Sequence, residues 1–180
     1  MSYVKHVALL RGINVGGNNK VEMPRLKKVF ENLGCSEVVT YINSGNVVFT
    51  DGRSTHELAQ LVTKAIKQEF GLDVPAVVRD QQSIADLCKK IPLKWTNDGQ
   101  LRTDVMFLWE EIDNKEILKK VKINPEIERL LYCEGALVWN IGRQNVSRGA
   151  AIKLINTDVY EHMTIRNINT VRKLNDLMTQ

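Results

Sequence analysis

Two kinds of hydrophobic spacing alternate in residues 1–80, and their order constrains the fold more than any other feature of the chain. Val4–Leu10 is a compact β-rich run. Leu26, Val29, Phe30 and Leu33 then recur at helical spacing behind Pro24, which suits a first helical position, and Gly34 ends the stripe. Two further β-rich runs, residues 38–42 and 46–50, flank Asn43-Ser44-Gly45 in the manner of a hairpin. Ser54-Thr55-His56-Glu57 has the spacing of a capping box, and it opens a helix whose Leu58, Leu61, Val62, Ala65 and Ile66 share one face until near Gly71. Residues 74–79 read as another strand. The resulting order, β-α-β-β-α-β, is that of a split βαβ or ferredoxin-like unit.

The second half repeats this order more loosely. Ile84, Leu87, Cys88 and Ile91 return to helical spacing before Pro92, and the polar residues 96–102 read as a linker. A strand over 104–110 follows, then a helix capped by Asp113-Asn114-Lys115-Glu116 and running to Lys122. Residues 129–133 and 136–141 form a second hairpin around Glu134-Gly135. A helix near 157–163, an extended piece over 164–167 and a terminal helix carrying Val171, Leu174, Leu177 and Met178 complete the chain. The expected architecture is α+β, with two ferredoxin-like βαββαβ subdomains at 1–80 and 103–180, the latter with a C-terminal helix. A helix and linker at 81–102 join them. The halves share no residue-level repeat, so the duplication is structural.

Composition limits the setting. With 180 residues, 43% hydrophobic and 26% charged, the chain is long enough for one domain or two small ones. No apolar run approaches the roughly 20 residues of a membrane helix, and residues 3–10 are too short, and too interrupted by Lys5 and His6, for a signal peptide. A soluble cytoplasmic protein with no membrane partner is expected. Cys35, Cys88 and Cys133 are odd in number and widely spaced, so free thiols are expected rather than a disulfide framework or a zinc site. His6, His56 and His162 form no metal-binding pattern, and neither metal nor cofactor is expected. The net charge of +4 is too small to imply nucleic acid alone, but residues 1–30 carry six basic side chains against Glu22, and residues 141–180 carry six against three acids. One face would be basic if the two ends of the chain met.

Three segments offer chemistry. Arg11-Gly12-Ile13-Asn14-Val15-Gly16-Gly17-Asn18-Asn19-Lys20 lies between a strand and a helix, where backbone N–H groups and a helix N-terminus can cradle an anion. Gly12 and Gly17 keep the spacing of a P-loop, yet Asn18 and Asn19 stand where Lys and Ser or Thr would hold phosphate and Mg²⁺, so triphosphate hydrolysis by that device is not expected. The second segment, Tyr41, Asn43, Ser44 and Asn46 around the hairpin, can bind a sugar, carboxamide or phosphate as readily as its own turn. In the third, Arg166 can clamp a carboxylate or phosphate beside Asn167, with Asn169 or Thr170 capping the terminal helix, and Arg148 adds a cation upstream. The candidate ligand set is therefore Arg11, Gly12, Asn14, Gly16, Gly17, Lys20, Tyr41, Asn43, Ser44, Asn46, Arg148, Arg166 and Asn167. Each segment also has a plain structural reading, as a glycine turn, a hairpin turn or a helix cap.

Together these segments resemble a bacterial family known as domain of unknown function 1697. The likeness rests on Leu9-Leu10-Arg11-Gly12-Ile13-Asn14-Val15-Gly16-Gly17, on Met23, Leu26 and Leu33-Gly34, on Val39-Thr40-Tyr41-Ile42 with Ser44-Gly45-Asn46-Val47-Val48-Phe49, and on Thr164-Ile165-Arg166-Asn167-Ile168-Asn169-Thr170-Val171 with Leu174. The resemblance implies duplicated ferredoxin-like subdomains and no established activity. Ile168 stands where the family usually has Trp, which removes any stacking role of that ring and leaves a packing role intact.

The functional expectation is a protein that binds a small anionic ligand, a nucleotide or phosphorylated metabolite, between the glycine-rich loop and the Arg-Asn segment. No nucleophile-base pair marks it as an enzyme. One alternative is nucleic-acid binding on a ferredoxin-like sheet, although Gly45-Asn46-Val47-Val48-Phe49 supplies a single aromatic ring. The other is a homodimeric interaction module whose motifs are only turns.

Overall fold

The computed structural model describes residues 3–155 and 157–180. By contact density they fall into two compact units, Met1–Ile84 with Leu174–Gln180, and Ala85–Lys173. Among the described residues no helix is long and apolar enough to cross a membrane.

The first unit is built from β1 (Val4–Leu10), α1 (Met23–Asn32), β2 (Ser36–Tyr41), β3 (Asn46–Asp51), α2 (Thr55–Phe70) and β4 (Ala76–Asp80), and α3 (Gln81–Lys90) begins in it. Its strands form an antiparallel sheet in the order β2-β3-β1-β4, with Val7 opposite Val48 and Leu10 opposite Ala76. Ala8, Leu10, Val47, Phe49 and Val78 form one core with Leu26 and Phe30 of α1 and Leu58, Val62 and Ile66 of α2. The stripes anticipated from helical spacing are thus the buried faces of these helices. Ser54 accepts a hydrogen bond from the Glu57 amide while the Glu57 carboxylate accepts from the Ser54 amide, and Gly71 closes α2 in the left-handed conformation.

The second unit contains β5 (Leu101–Leu108), α4 (Ile117–Lys120), β6 (Glu128–Cys133), β7 (Ala136–Gly142), α5 (Ala150–Leu154), α6 (Asp158–Glu161), β8 (Met163–Asn167) and the start of α7 (Ile168–Thr179). Its antiparallel sheet runs β6-β7-β5-β8, which is the strand order of the first sheet again. Val105 faces Val138 in the ladder and Met106 faces Ile165. Trp139 is fully buried and its indole N–H donates to Glu128 at 2.6 Å. The same buried carboxylate accepts from the amides of Asn124 and Ala150, so its charge is fully engaged.

The second half departs from its expected outline in several places. The helix expected from Asp113 to Lys122 shrinks to α4, because Asp113 accepts from the Tyr132 hydroxyl at 2.9 Å and the Gly135 amide at 3.0 Å instead of capping. Leu101 and Arg102, expected in a linker, are the first residues of β5. The helix near 157–163 is only α6, and Met163 already belongs to β8. The α5 helix and the 3₁₀ turn Arg143–Arg148 had no periodic signal.

Candidate functional site

The loop after β1 and the turn between β2 and β3 are one structure. Leu10 donates its amide to the Gly45 carbonyl at 2.9 Å. Asn14 donates through Nδ2 to the carbonyls of Val21 and Asn43, each at 2.9 Å, and accepts through Oδ1 from the Val21 amide. One side chain therefore closes the glycine-rich loop on itself and ties it to the hairpin turn. Within the loop, Asn14 accepts no part of an ordinary conformation: it is left-handed at φ 53°, as are Gly12, Gly16, Gly17 and Asn19. Asn19 Nδ2 donates to the Gly12 carbonyl, and the Asn18 amide to the Val15 carbonyl. Residues 14–20 are exposed.

The sequence-derived candidates divide on this geometry. Asn14 and Asn46 are spent on backbone: Asn46 is fully buried and its Nδ2 donates to the Tyr41 carbonyl and the Ser44 hydroxyl. Asn43 offers its carbonyl to Asn14. Arg11 is half-buried at the foot of the loop, its amide donating to the Pro75 carbonyl, and Lys20 is exposed at the far end. Arg11, Gly12, Gly16, Gly17, Lys20, Tyr41, Asn43, Ser44 and Asn46 all belong to the first unit with Asn14. Arg148, Arg166 and Asn167 belong to the second.

Arg166 is a buried cation on the edge strand β8, donating to the Thr164 hydroxyl at 2.9 Å and the Ile165 carbonyl at 2.8 Å. Burial lowers it to about 10, so it is still protonated at neutral pH. Asn167 Oδ1 accepts from the Thr170 amide at 3.0 Å and is itself the cap of α7, the role expected of Asn169 or Thr170. Arg148 donates to the Asn145 amide oxygen.

Two groups that patterning did not single out stand out in the first unit. Asp51 receives a bidentate Arg53, at 2.6 and 2.9 Å, and Arg53 also reaches the Leu33 carbonyl, which pins the end of α1 to β3. Arg53 holds the Asp51 carboxyl well below the usual carboxylate range. Cys35 donates to Asp51 at 3.4 Å, and burial pushes its thiol up to about 12, which removes it as a nucleophile. His6 is 4% exposed, stacked on Phe49 at 5.6 Å, with neither ring nitrogen hydrogen-bonded. A lone histidine inside a strand gives no warning of that.

A model of the family described as protein of unknown function DUF1697 matches residues 4–139. Among solved structures, the conserved bacterial protein SP0830 from Streptococcus pneumoniae matches with a TM-score of 0.85 at 28% identity, over 98% of this chain and 99% of that one. No curated protein matches. The match of the family model over most of the chain places it: this protein is a member of the DUF1697 family of proteins of unknown function.

Proposed function

We propose that the protein binds a small anionic ligand, of the nucleotide or phosphorylated-metabolite class, on the platform formed by the glycine-rich loop and the β2–β3 turn. The observation that carries this reading is Asn14, whose amide group locks both loops and leaves residues 15–20 as an exposed, held length of backbone. A preformed loop avoids part of the ordering cost of binding. In this reading the Gly16 and Gly17 amides receive the anion, Arg11 and Lys20 supply charge, and the Tyr41 and Ser44 hydroxyls add donors. Asn14, Asn43 and Asn46 shape the platform, and Arg148, Arg166 and Asn167 of the second unit take no assigned contact. The repeated strand order supports reading each unit as a ferredoxin-like subdomain of a duplicated chain, and three free thiols accord with a reducing cytoplasm.

The test is a thermal-shift series with inorganic phosphate, ATP and glucose 6-phosphate. A ligand at about 100-fold its Kd adds roughly 2.7 kcal/mol to the native state, or about 5–11 °C at this size. Arg11→Ala and Lys20→Ala should each lose most of that shift. No shift with any of the three, or a shift that both variants keep, overturns the reading.

A further inference from the structure

We propose a second, independent site: a cleft in the second unit that binds a mononucleotide, with Trp95 stacking on the base and Lys94 and Arg129 holding the phosphate. The cleft has a volume of about 390 Å³ and is lined by Lys94, Trp95, Leu101, Glu126, Arg129 and Asn140, with the start of β6 as one wall. That volume is within the range of small-molecule sites, roughly 300–1,000 Å³.

The Trp95 ring is half-buried and its backbone is fixed on both sides. Its own amide donates to the Pro92 carbonyl at 2.9 Å, and the next residue, Thr96, accepts from the Thr103 hydroxyl through its carbonyl and donates through its hydroxyl to Asp98. Asp98 in turn accepts from the amides of Gln100 and Leu101, and Arg143 donates to the Asp98 carbonyl. An aromatic side chain that lines open space is what base stacking needs, and such stacking is worth about 1–3 kcal/mol.

Lys94 and part of the Arg129 guanidinium are unspent. Lys94 makes no ion pair or hydrogen bond among the described residues. Arg129 uses one terminal nitrogen on the carbonyls of Pro125 and Glu128, which leaves its other N–H groups for an anion. The Glu128 carboxylate is buried and its oxygens are taken up by three neutral donors, and Glu126 is an exposed carboxylate at the rim. Asn140 is the reading group. The Thr103 hydroxyl spends its single proton on the Thr96 carbonyl and can only accept from Asn140 Nδ2, at 2.9 Å. That leaves Oδ1 as the free acceptor of a residue that lines the cleft, suited to a base that carries an amino group. Two cations and one ring fit a single nucleotide rather than a strand, which would need a row of each.

The experiment is titration with AMP, CMP and UMP of the full-length protein carrying Arg11→Ala and Lys20→Ala, which removes the charges proposed for the glycine-rich loop, read by tryptophan fluorescence and by calorimetry. AMP and CMP should quench part of the emission, saturably, and bind more tightly than UMP, adenosine or inorganic phosphate. In that background Trp95→Leu should weaken AMP about tenfold or more, as should Arg129→Met. Trp95→Phe keeps a ring and should bind AMP nearly as before while the quenching disappears, which separates loss of the site from loss of the fold. No binding of any of the three at about 5 mM, AMP binding that survives Trp95→Leu, or affinity that climbs with oligonucleotide length would each overturn the proposal.

Discussion

Burial of His6 makes the fold favour the neutral imidazole. Burial lowers its pKa, against the raising pull of Asp51 and Asp80, and neither ring nitrogen has a partner to share a proton with. A base whose folded pKa lies below its unfolded value contributes its stability above the unfolded pKa, and that stability drains away as pH falls below about 6.5. Asp51 has the same sign in a lower pH range. Its depressed carboxyl holds its stabilisation until much lower pH, so the two groups act in different windows. Urea unfolding at about pH 7.5 and pH 5 should therefore show the wild type losing more stability than His6→Phe, by at most about 1.4 kcal/mol per pH unit. Parallel losses in the two proteins would mean that protonated His6 is tolerated in place. This residue was invisible in the sequence because its strand alternates no clear polar face: residues 6–10 are all buried.

Among the elements, those with an intrinsic signal were legible, while those decided by a distant partner were not. Val4–Leu10 was expected at its observed bounds, and α2 announced itself by its cap box and its glycine. The helix expected at Asp113 failed because Tyr132 and Gly135, about twenty residues away, take its cap oxygen. The glycine-rich loop divides in the same way between local conformation and tertiary packing. Gly16 and Gly45 are both left-handed, at φ 58° and 79°, but a Cβ on Gly16 meets nothing within 4 Å whereas one on Gly45 would stand 2.7 Å from Leu10 Cβ and 2.8 Å from Ile13 Cδ1. Gly16→Ala should cost only the conformational part, about 1–2 kcal/mol. Gly45→Ala should cost about 1–3 kcal/mol beyond that, since it overpacks the junction of the two loops. Denaturant midpoints at equal m-value give the comparison, and equal losses would show that the junction relaxes around a methyl group.

At the scale of the whole chain, the order of the strands in both halves and of the helices in the first was written into its spacing, whereas α5 was not. The strand order within each sheet was recoverable only through the motif that this order suggests. The cleft at Trp95 was not legible at all, since Lys94, Leu101, Arg129 and Asn140 lie far apart in sequence and no spacing links them. The cysteines carry a property of the entire fold, because each was expected outside a disulfide and all three are, yet they differ in what the fold does to them. Cys35 and Cys133 are buried and burial raises both, Cys35 to about 12, whereas Cys88 is half-buried. At about pH 8, a thiol with a pKa near 12 is ionised to roughly one part in 10,000, against about a quarter for an ordinary cysteine, and the thiolate is the reacting form. A disulfide reagent added to the native protein should therefore react promptly with at most one thiol, Cys88. Cys35 and Cys133 should follow slowly, at the rate at which their surroundings open. In denaturant all three should react at once. Two or more prompt thiols in native protein would show that Cys35 or Cys133 is far less enclosed than its burial implies.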